Sequence, residues 1–257
     1  MGFTRSIRPE GQTHRLSFAL LMLRVYPDRG VNTTEWRAGM LARKRIFDVL
    51  LASIFSLLLL PLLAVISLAI VVSMGRPILF SHIRPGLHGQ SFTLYKFRTM
   101  TDARGQNGEV LSDSKRLTGI GAFLRTTSLD ELPELFNVLK GDMSLVGPRP
   151  LLIRYLPYYT PLENKRHDFR PGITGLAQIN GRHLLGWDQR LQLDVWYVEN
   201  WSIMLDLKIL WRTAFKVITK EDSLADPTTA GLPDLDEERS SSEIHRHNRT
   251  SEGATGS

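Results

Sequence analysis

The sequence contains no cysteine, which excludes disulfide bonds and cysteine-ligated zinc. It also lacks the G-K-[ST] element of a phosphate loop and the G-x-G-x-x-G fingerprint of dinucleotide-binding folds, so neither kind of nucleotide site is predicted. Charge is missing from one long stretch, because no Asp, Glu, Lys or Arg occurs between Asp48 and Arg76. The lack of cysteine is compatible with a chain facing the cytosol, and the uncharged stretch is typical of a membrane segment.

The uncharged stretch is long enough to enter a bilayer. As one straight helix it would measure about 40 Å, against about 30 Å for the hydrocarbon core. Pro61 lies at its middle, where a proline removes a backbone hydrogen bond and kinks a helix. Basic residues flank both ends, at positions 43–45 and at Arg76 and Arg84, which favours both ends on the cytoplasmic side.

Three structures are open for this stretch on the residues alone. A helix bent at Pro61 could dip into one leaflet and return, which satisfies its length, its proline and its flanking charges. A single tilted transmembrane helix would also tolerate the proline. A buried helix of a soluble domain fits less well, because the neighbourhood of Leu57–Leu60 leaves no polar face.

Charge is unevenly distributed along the chain, whose net charge is +6. Residues 221–257 hold nine acidic and three basic side chains, so the preceding part has a net charge of +12. A basic body indicates an anionic partner, such as phosphates, nucleic acid or an anionic membrane surface. The basic residues form no known DNA-reading motif, so no nucleic-acid partner is predicted. The acidic, serine-rich tail at 221–257 has no aromatic residue and is predicted to be disordered.

Two neighbouring carboxylates, Asp130 and Glu131, come just before a helical pattern. Its apolar positions follow the spacing of one buried helix face: Leu132, Leu135, Phe136 and Leu139. Ser128 with Glu131 predicts a capping box, whereas Pro133 favours a later register with Asp130 as the N-cap. Gly141 is predicted to cap the C-terminus. Acidic residues at a helix start are often simple caps, but a carboxylate held ionised there also suits a nucleophile or a Mg²⁺ ligand.

Four basic residues are candidates for binding phosphate. Arg149 lies in a rigid Gly-Pro-Arg-Pro turn, and Arg125 lies five residues before Asp130. Residues 78–100 predict a hairpin, on whose second strand Lys96 and Arg98 share one face. Two adjacent cations suit a diphosphate, although a solvated strand face is the simpler interpretation.

Three further segments complete the predicted body. Thr160-Pro161-Leu162-Glu163 predicts a second capping box. The glycine-rich segment 171–181 predicts a loop whose N–H groups could approach phosphate, or a plain turn. Residues 207–220 predict an amphipathic helix with a basic face, which suits either a membrane interface or packing onto the core. Residues 1–39 are interpreted as a poorly determined N-terminal extension. Met40 could be the initiator methionine.

Five stretches resemble those of a known family: 125–150 (RTTSLDELPELFNVLKGDMSLVGPRP), 44–48 (KRIFD), 95–100 (YKFRTM), 170–178 (RPGITGLAQ) and 193–201 (LDVWYVENW). They resemble the bacterial sugar transferases, also called monotopic phosphoglycosyl transferases, which move a hexose-1-phosphate onto a polyprenyl phosphate. The resemblance runs in order from about residue 43 to residue 220. It does not extend to the N-terminal extension or the tail.

The resemblance implies an α+β, mostly helical fold with a re-entrant membrane helix at 40–76, a small hairpin, amphipathic interfacial helices and a cytoplasmic catalytic domain at 77–220. It implies a UDP-sugar donor, an undecaprenyl phosphate acceptor, Mg²⁺ and release of UMP. Asp130 would attack the β-phosphate and bind the metal, Glu131 would assist, and Arg149, Lys96, Arg98 and Arg125 would bind phosphate. The protein would lie at the bacterial inner membrane, facing the cytoplasm, and would initiate exopolysaccharide, capsule or O-antigen units.

Two alternatives stay open. A glycosyltransferase would pass only the sugar and release UDP, so the product nucleotide separates the two reactions. The second alternative is a non-enzymatic, membrane-associated basic scaffold, which the sequence pI of about 9.7 suggests. The sequence names neither the sugar nor the polysaccharide pathway, and a homo-oligomer also stays open.

Overall fold

The structure, a computed structural model, describes residues 33–181, 185–219 and 233–241. Most of the predicted extension at 1–39 and of the tail at 221–257 therefore lies outside the described residues. Within the tail, residues 235–241 are helical, which differs from the disorder we expected there. Residues 43–257 belong to one compact unit, and the contacts below lie within it.

The described residues are mostly helical, with one antiparallel hairpin and one short parallel pair of strands, which confirms the α+β prediction. The helices are α1 (Thr33–Met74), α2 (Asp113–Arg116), α3 (Gly119–Thr126), α4 (Glu134–Lys140), α5 (Pro161–Asn164), α6 (Leu176–Ile179), α7 (Trp187–Glu199) and α8 (Ile203–Thr219). The strands are β1 (Leu79–Pro85), β2 (Ser91–Phe97), β3 (Ser144–Val146) and β4 (Gly172–Thr174). Short 3₁₀ segments lie at Leu87–Gly89, Leu129–Glu131, Ile153–Tyr158 and Lys165–Asp168.

Helix α1 contains the uncharged stretch and stays helical through Pro61. Its segment Gly39–Met74 is long and apolar enough to cross a membrane by length and composition. Most side chains near its middle are exposed, among them Leu57, Leu58 and Val65, so the part of the chain that the structure describes does not cover them. The predicted re-entrant bend at Pro61 stays a prediction.

The N-terminal part of α1 is fixed by a buried polar cluster. Lys44 Nζ lies 2.6 Å from an Asp206 carboxylate oxygen, and both side chains are almost fully buried. Asp206 also accepts hydrogen bonds from the Tyr197 hydroxyl (2.7 Å) and the Trp201 indole N–H (2.9 Å). The Leu145 N–H donates to Asp48 one turn further along α1. Lys44 and Asp48 of the KRIFD stretch therefore join α1 to α7, α8 and β3.

The C-terminal part of α1 packs against the hairpin. Ile66 and Ile70 form a buried cluster with Phe97 of β2 and Leu124 of α3. Strands β1 and β2 pair antiparallel from Leu79↔Phe97 to Pro85↔Ser91, so the predicted hairpin is confirmed. Both parts of α1 thus contact the same body, with an exposed apolar middle between them.

Strands β3 and β4 correct our interpretation of segment 171–181 as a loop. They pair in parallel, with Ser144 opposite Gly172 and Val146 opposite Thr174. A Cβ at Gly172 would lie 2.0 Å from the Gly147 nitrogen, and one at Gly175 would lie 2.2 Å from the Gly147 oxygen. These glycines let two backbone segments pack closely together, and three-residue strands are too short to show a period in sequence.

Helix α8 exposes the apolar stripe predicted for it. Trp211 and Ile218 are 76% and 79% exposed, and Leu207 and Phe215 are also exposed. Buried contacts come instead from the neighbouring face, through Leu205, Asp206 and Ile209. An exposed stripe of this kind is typical of a helix that meets a membrane interface or another apolar surface.

The buried Lys44–Asp206 pair predicts a large loss of stability on substitution. Asp206→Ala should lower the free energy of unfolding by about 3–5 kcal/mol, because it leaves the Lys44 ammonium buried without its carboxylate. Glu199→Ala, which breaks an exposed pair with Lys165, should cost less than about 1 kcal/mol. Thermal or denaturant unfolding in detergent measures both changes. Equal losses would show that the buried cluster does not fix α1.

Candidate active site

The backbone at Asp130 and Glu131 differs from the predicted helix start. Both residues lie in the 3₁₀ segment, and α4 begins only at Glu134 after Pro133. Ser128 has a left-handed backbone (φ 55°) and makes no capping hydrogen bond. The predicted Ser128–Glu131 capping box and the Asp130 N-cap are therefore both wrong, because the Ser128 side chain makes no capping hydrogen bond and Asp130 lies inside the 3₁₀ segment.

Two other predicted caps are confirmed. Gly141 ends α4 with a φ of 100°, which glycine adopts without strain. Thr160 and Glu163 form the reciprocal capping box at the start of α5. These ends were predictable because each depends on residues within four positions of one another.

A buried asparagine brings α4 to the hairpin. The Asn137 side-chain amide accepts from the Tyr95 N–H (3.1 Å) and donates to the Thr93 oxygen (2.7 Å). The amide thereby pairs with the exposed edge of β2 as a strand would. This join places Lys96 of β2 directly against Glu134 of α4.

A cluster of charges surrounds the two carboxylates. Lys96 Nζ lies 2.6 Å from Glu131 Oε1 and 3.3 Å from Glu134 Oε1. Arg149 Nη2 lies 2.9 Å from the same Glu131 oxygen. The Glu131 carboxylate raises the pKa of Arg149 further, so this guanidinium stays charged. Glu131 is therefore held between two cations.

Asp130 differs from Glu131 in that no salt bridge to its carboxylate occurs within residues 33–181, 185–219 and 233–241. Burial and the neighbouring Glu131 charge raise the pKa of Asp130, while Lys96 and Arg125 act in the opposite direction. Our expectation that a helix N-terminus holds Asp130 ionised is wrong, since α4 begins four residues later. Asp130 instead faces a cation-rich cavity with its carboxylate available to a ligand.

Glu134 is a site residue that sequence reasoning missed. Its side chain is buried, and burial together with the Glu131 charge raises its pKa to about 7. The signal in the sequence was the spacing of the two glutamates. Glu134 follows Glu131 by three residues, the interval at which side chains of a helical segment are neighbours. Three carboxylates therefore lie close together in the chain, and Lys96 contacts two of them, Glu131 and Glu134.

The Arg149 turn is fixed from behind. Gly172 N–H donates to the Pro148 oxygen (3.0 Å), and Arg166 donates to the Arg149 oxygen (2.7 Å). Arg166 is itself buried and held by Asp194 at 2.7 Å. Arg149 therefore projects from a backbone that cannot readily shift.

The other residues predicted to bind phosphate differ in their contacts. Arg125 lines the cavity and donates from Nε to the Thr99 hydroxyl at 3.0 Å. Arg98 also lines it, but its guanidinium contacts Asp102 and the Met100 and Arg76 oxygens. Arg98 therefore has a structural role, because it joins the hairpin to the segment that follows α1.

The cavity beside Asp130 has a volume of about 890 Å³. It is lined by more basic than acidic side chains, among them Arg84 and Arg190, which sequence reasoning did not single out as ligands. Burial and the nearby Arg149 lower the pKa of both guanidinium groups, while carboxylates act in the opposite direction: Glu134 on Arg84, and Asp194 and Glu238 on Arg190. Because neighbouring cations repel one another, a bound anion that offsets this repulsion is favoured in the cavity. We call this space the polar cavity.

A second, smaller cavity of about 290 Å³ lies beside Glu131. Its lining is mainly apolar and includes Phe55 and Leu59 of α1 and Leu210 and Val217 of α8. We call it the apolar cavity. The two neighbouring acidic residues thus line different spaces: Asp130 lines the polar cavity and Glu131 the apolar one.

Comparison with known proteins assigns the chain to a family. The family model for bacterial sugar transferases matches residues 39–220. That range includes α1 from residue 39 onward, the residues lining both cavities and the charge cluster. The chain belongs to the bacterial sugar transferase family.

Individual relatives differ in how much of their own length the chain covers. The chain is 55% identical over 179 residues to the uncharacterized sugar transferase EpsL of Bacillus subtilis, covering 69% of this chain and 88% of EpsL. It is 42% identical over 184 residues to a UDP-glucose:undecaprenyl-phosphate glucose-1-phosphate transferase of Klebsiella pneumoniae, covering 67% and 39%. It is 38% identical over 196 residues to an undecaprenyl-phosphate galactose phosphotransferase of Salmonella typhimurium, covering 70% and 41%. The chain therefore spans about two fifths of the length of the last two.

The raised pKa of Glu134 predicts a pH-dependent stability. Between pH 4.5 and about 7 the folded protein keeps a proton that the unfolded chain releases, so this group's contribution to stability falls as the pH rises. Glu134→Gln should match the original protein near pH 5 and exceed its stability by about 1–3 kcal/mol at pH 8. Melting curves at both pH values test this, with the exposed Glu199→Gln as control. A Glu134→Gln effect independent of pH would contradict it.

Proposed function

We propose that this chain transfers a sugar-1-phosphate from a UDP-sugar to a polyprenyl phosphate such as undecaprenyl phosphate. The observation that carries the proposal is the contrast between three carboxylates in one site. Glu131 and Glu134 each contact a cation, whereas Asp130 faces the polar cavity without a salt bridge among the described residues. The names of the Klebsiella and Salmonella relatives support this substrate class.

In the proposed first step, Asp130 attacks the β-phosphorus of the UDP-sugar. A bond forms between a carboxylate oxygen and phosphorus, and the bond from that phosphorus to the bridging oxygen breaks. UMP leaves with the electron pair, and the sugar phosphate stays on Asp130 as a mixed anhydride. Arg149 and Arg125 are placed to bind the phosphate oxygens, and Lys96 reduces the negative charge that the donor meets.

In the second step, an oxygen of the lipid phosphate attacks the same phosphorus and releases the Asp130 carboxylate. In-line displacement requires this oxygen to enter from the side that UMP has left, which is the polar cavity. The lipid's head group therefore enters the polar cavity, and its isoprenoid chain occupies the apolar cavity between α1 and α8. Gln178 lines both spaces and marks where the two meet.

Asp130 also fits the requirements of Mg²⁺, which is often held by one or two carboxylates together with substrate phosphates. No group of three metal-binding side chains occurs in the part of the chain that the structure describes, so substrate phosphates would supply the remaining ligands. When bound, the ion would spread the charge that otherwise keeps a carboxylate and a diphosphate apart.

The contacts of α1 support a location at one face of the membrane. Lys44 near its start and Ile70 near its end both contact the same body. A straight spanning helix would place these residues on opposite sides of a bilayer about 30 Å thick. We therefore propose that α1 dips into one leaflet of the bacterial inner membrane, with the catalytic body and the stripe of α8 on the cytoplasmic side. The product would initiate a surface polysaccharide.

The proposed intermediate predicts UMP release without an acceptor. Protein given UDP-sugar and Mg²⁺ alone should release up to one UMP per active site in a rapid phase. Asp130→Asn should abolish this release, because the amide is uncharged and poorly nucleophilic. Glu131→Gln should slow turnover while permitting slow release. UMP formed only after lipid is added would instead indicate direct transfer, and UDP as the product would indicate a glycosyltransferase.

The membrane arrangement predicts one-sided labelling. Because the chain has no native cysteine, Arg43→Cys and Ser81→Cys are single reporters on either side of the apolar stretch. Both should react with an impermeant maleimide only from the cytoplasmic side. Pro61→Leu should increase the fraction that spans the membrane, because a straight helix of this length can cross it. Labelling of one position from the opposite side in the unaltered helix would contradict the proposal.

A further inference from the structure

The C-terminal residues 233–241, which we call the clamp, lie beyond the family-matched range 39–220. Leu235 in the clamp is fully buried in a cluster with Tyr155, Trp187 and Leu191. An acidic tail therefore inserts one apolar side chain into the body. Burying a leucine in this way contributes roughly 1.5–3 kcal/mol, enough to hold a short segment in place.

Polar contacts on both sides of Leu235 fix the clamp to the body. Before it, Asp234 accepts from the Tyr155 hydroxyl at 2.7 Å and pairs with Arg154. After it, Arg239 contacts both carboxylate oxygens of Glu163, at 2.7 and 2.9 Å. The clamp thereby joins the 153–158 segment to α5, and Arg239 also reaches Asp188 at the start of α7.

One contact leads from the clamp toward the polar cavity. The Trp187 indole N–H donates to the Pro233 oxygen at 2.9 Å. The same indole ring lies beneath the guanidinium of Arg190, 4.9 Å from its centroid. Arg190 Nε donates to the Leu185 oxygen, and the side chain lines the polar cavity. Clamp, Trp187 and Arg190 therefore form one continuous series of contacts.

Arg190 has the properties of a ligand for an anion. It makes no salt bridge with any other residue that the structure describes, although it is partly buried beside Arg149. Its stacking on Trp187 and its bond to the Leu185 oxygen restrict its position, so less rotamer freedom is lost on binding. A guanidinium restricted in this way suits the phosphates of a nucleoside diphosphate.

We propose that Arg190 binds the anionic part of the UDP-sugar and that the clamp is a positioning element which holds Trp187, and through it Arg190, at the polar cavity. This inference rests on the proposed function. It predicts that the clamp affects affinity for the donor and leaves the binding of the isoprenoid chain unchanged, because the apolar cavity has none of these residues in its lining.

Binding measurements on the full chain test the proposal. In an Asp130→Asn background that prevents turnover, calorimetry gives the Kd of the UDP-sugar. Arg190→Gln should weaken binding about tenfold, as expected for loss of one charge-assisted hydrogen bond. Leu235→Ala should weaken it about threefold to fivefold by releasing Trp187. The double variant should be no weaker than Arg190→Gln alone, because both changes act through the same guanidinium.

Two further variants separate positioning from folding. Leu162→Ala makes the same chemical change at an exposed site on α5 and should leave the donor Kd unchanged. Trp187→Phe keeps an aromatic ring but removes the N–H bonded to Pro233, and it should weaken donor binding about twofold to threefold. This variant tests the proposal in place of Leu235→Ala if that protein does not fold. The affinity for an uncharged polyprenol, which lacks the phosphate, should stay constant in Leu235→Ala.

The outcomes distinguish failure of the clamp proposal from failure of the proposed function. A melting temperature lowered by Leu235→Ala with an unchanged donor Kd would overturn the clamp proposal and leave only a structural role. Additive effects of Leu235→Ala and Arg190→Gln would also overturn it. If the protein without clamp substitutions fails to bind any UDP-sugar, the proposed function itself fails.

Discussion

The arrangement of this site depends on how two cations, Lys96 and Arg149, are distributed among three neighbouring carboxylates. Asp130, Glu131 and Glu134 lie within one turn and a half of chain, and buried like charges cannot all ionise without neutralisation. Lys96 and Arg149 both contact Glu131, and Lys96 also reaches Glu134. This distribution leaves Asp130 as the carboxylate whose charge a donor phosphate, a metal ion or a covalent bond can compensate.

The surrounding structure holds those two cations in place. Asn137 joins β2 to α4 and so fixes Lys96. The close approach of β4 to Gly147, together with Arg166, fixes the turn that carries Arg149. Further away, the buried Lys44–Asp206 pair ties α1 to the helices behind the site. Local changes at these supports should therefore act on chemistry through the positions of the cations.

Sequence reasoning succeeded where short-range rules decide the structure. The hairpin, the Gly141 cap and the Thr160 capping box each follow from a few neighbouring residues, and they are confirmed. It failed at Ser128, whose left-handed backbone is uncommon for a residue other than glycine, and at the three-residue parallel strands. Composition indicated disorder for the tail, because the single buried Leu235 that holds the clamp has no periodic signal. The family resemblance supplied roles for Asp130 and Glu131 that spacing alone could not.

The position of the covalent adduct tests the central claim most directly. The tryptic peptide from Thr126 to Lys140 contains all three carboxylates of the site. Protein incubated with UDP-sugar and Mg²⁺ and then quenched with hydroxylamine should convert the acyl phosphate to a hydroxamate, and fragment masses locate it. The charge distribution described above predicts the hydroxamate on Asp130. A hydroxamate on Glu131 or Glu134, or none in protein that has released UMP, would contradict it.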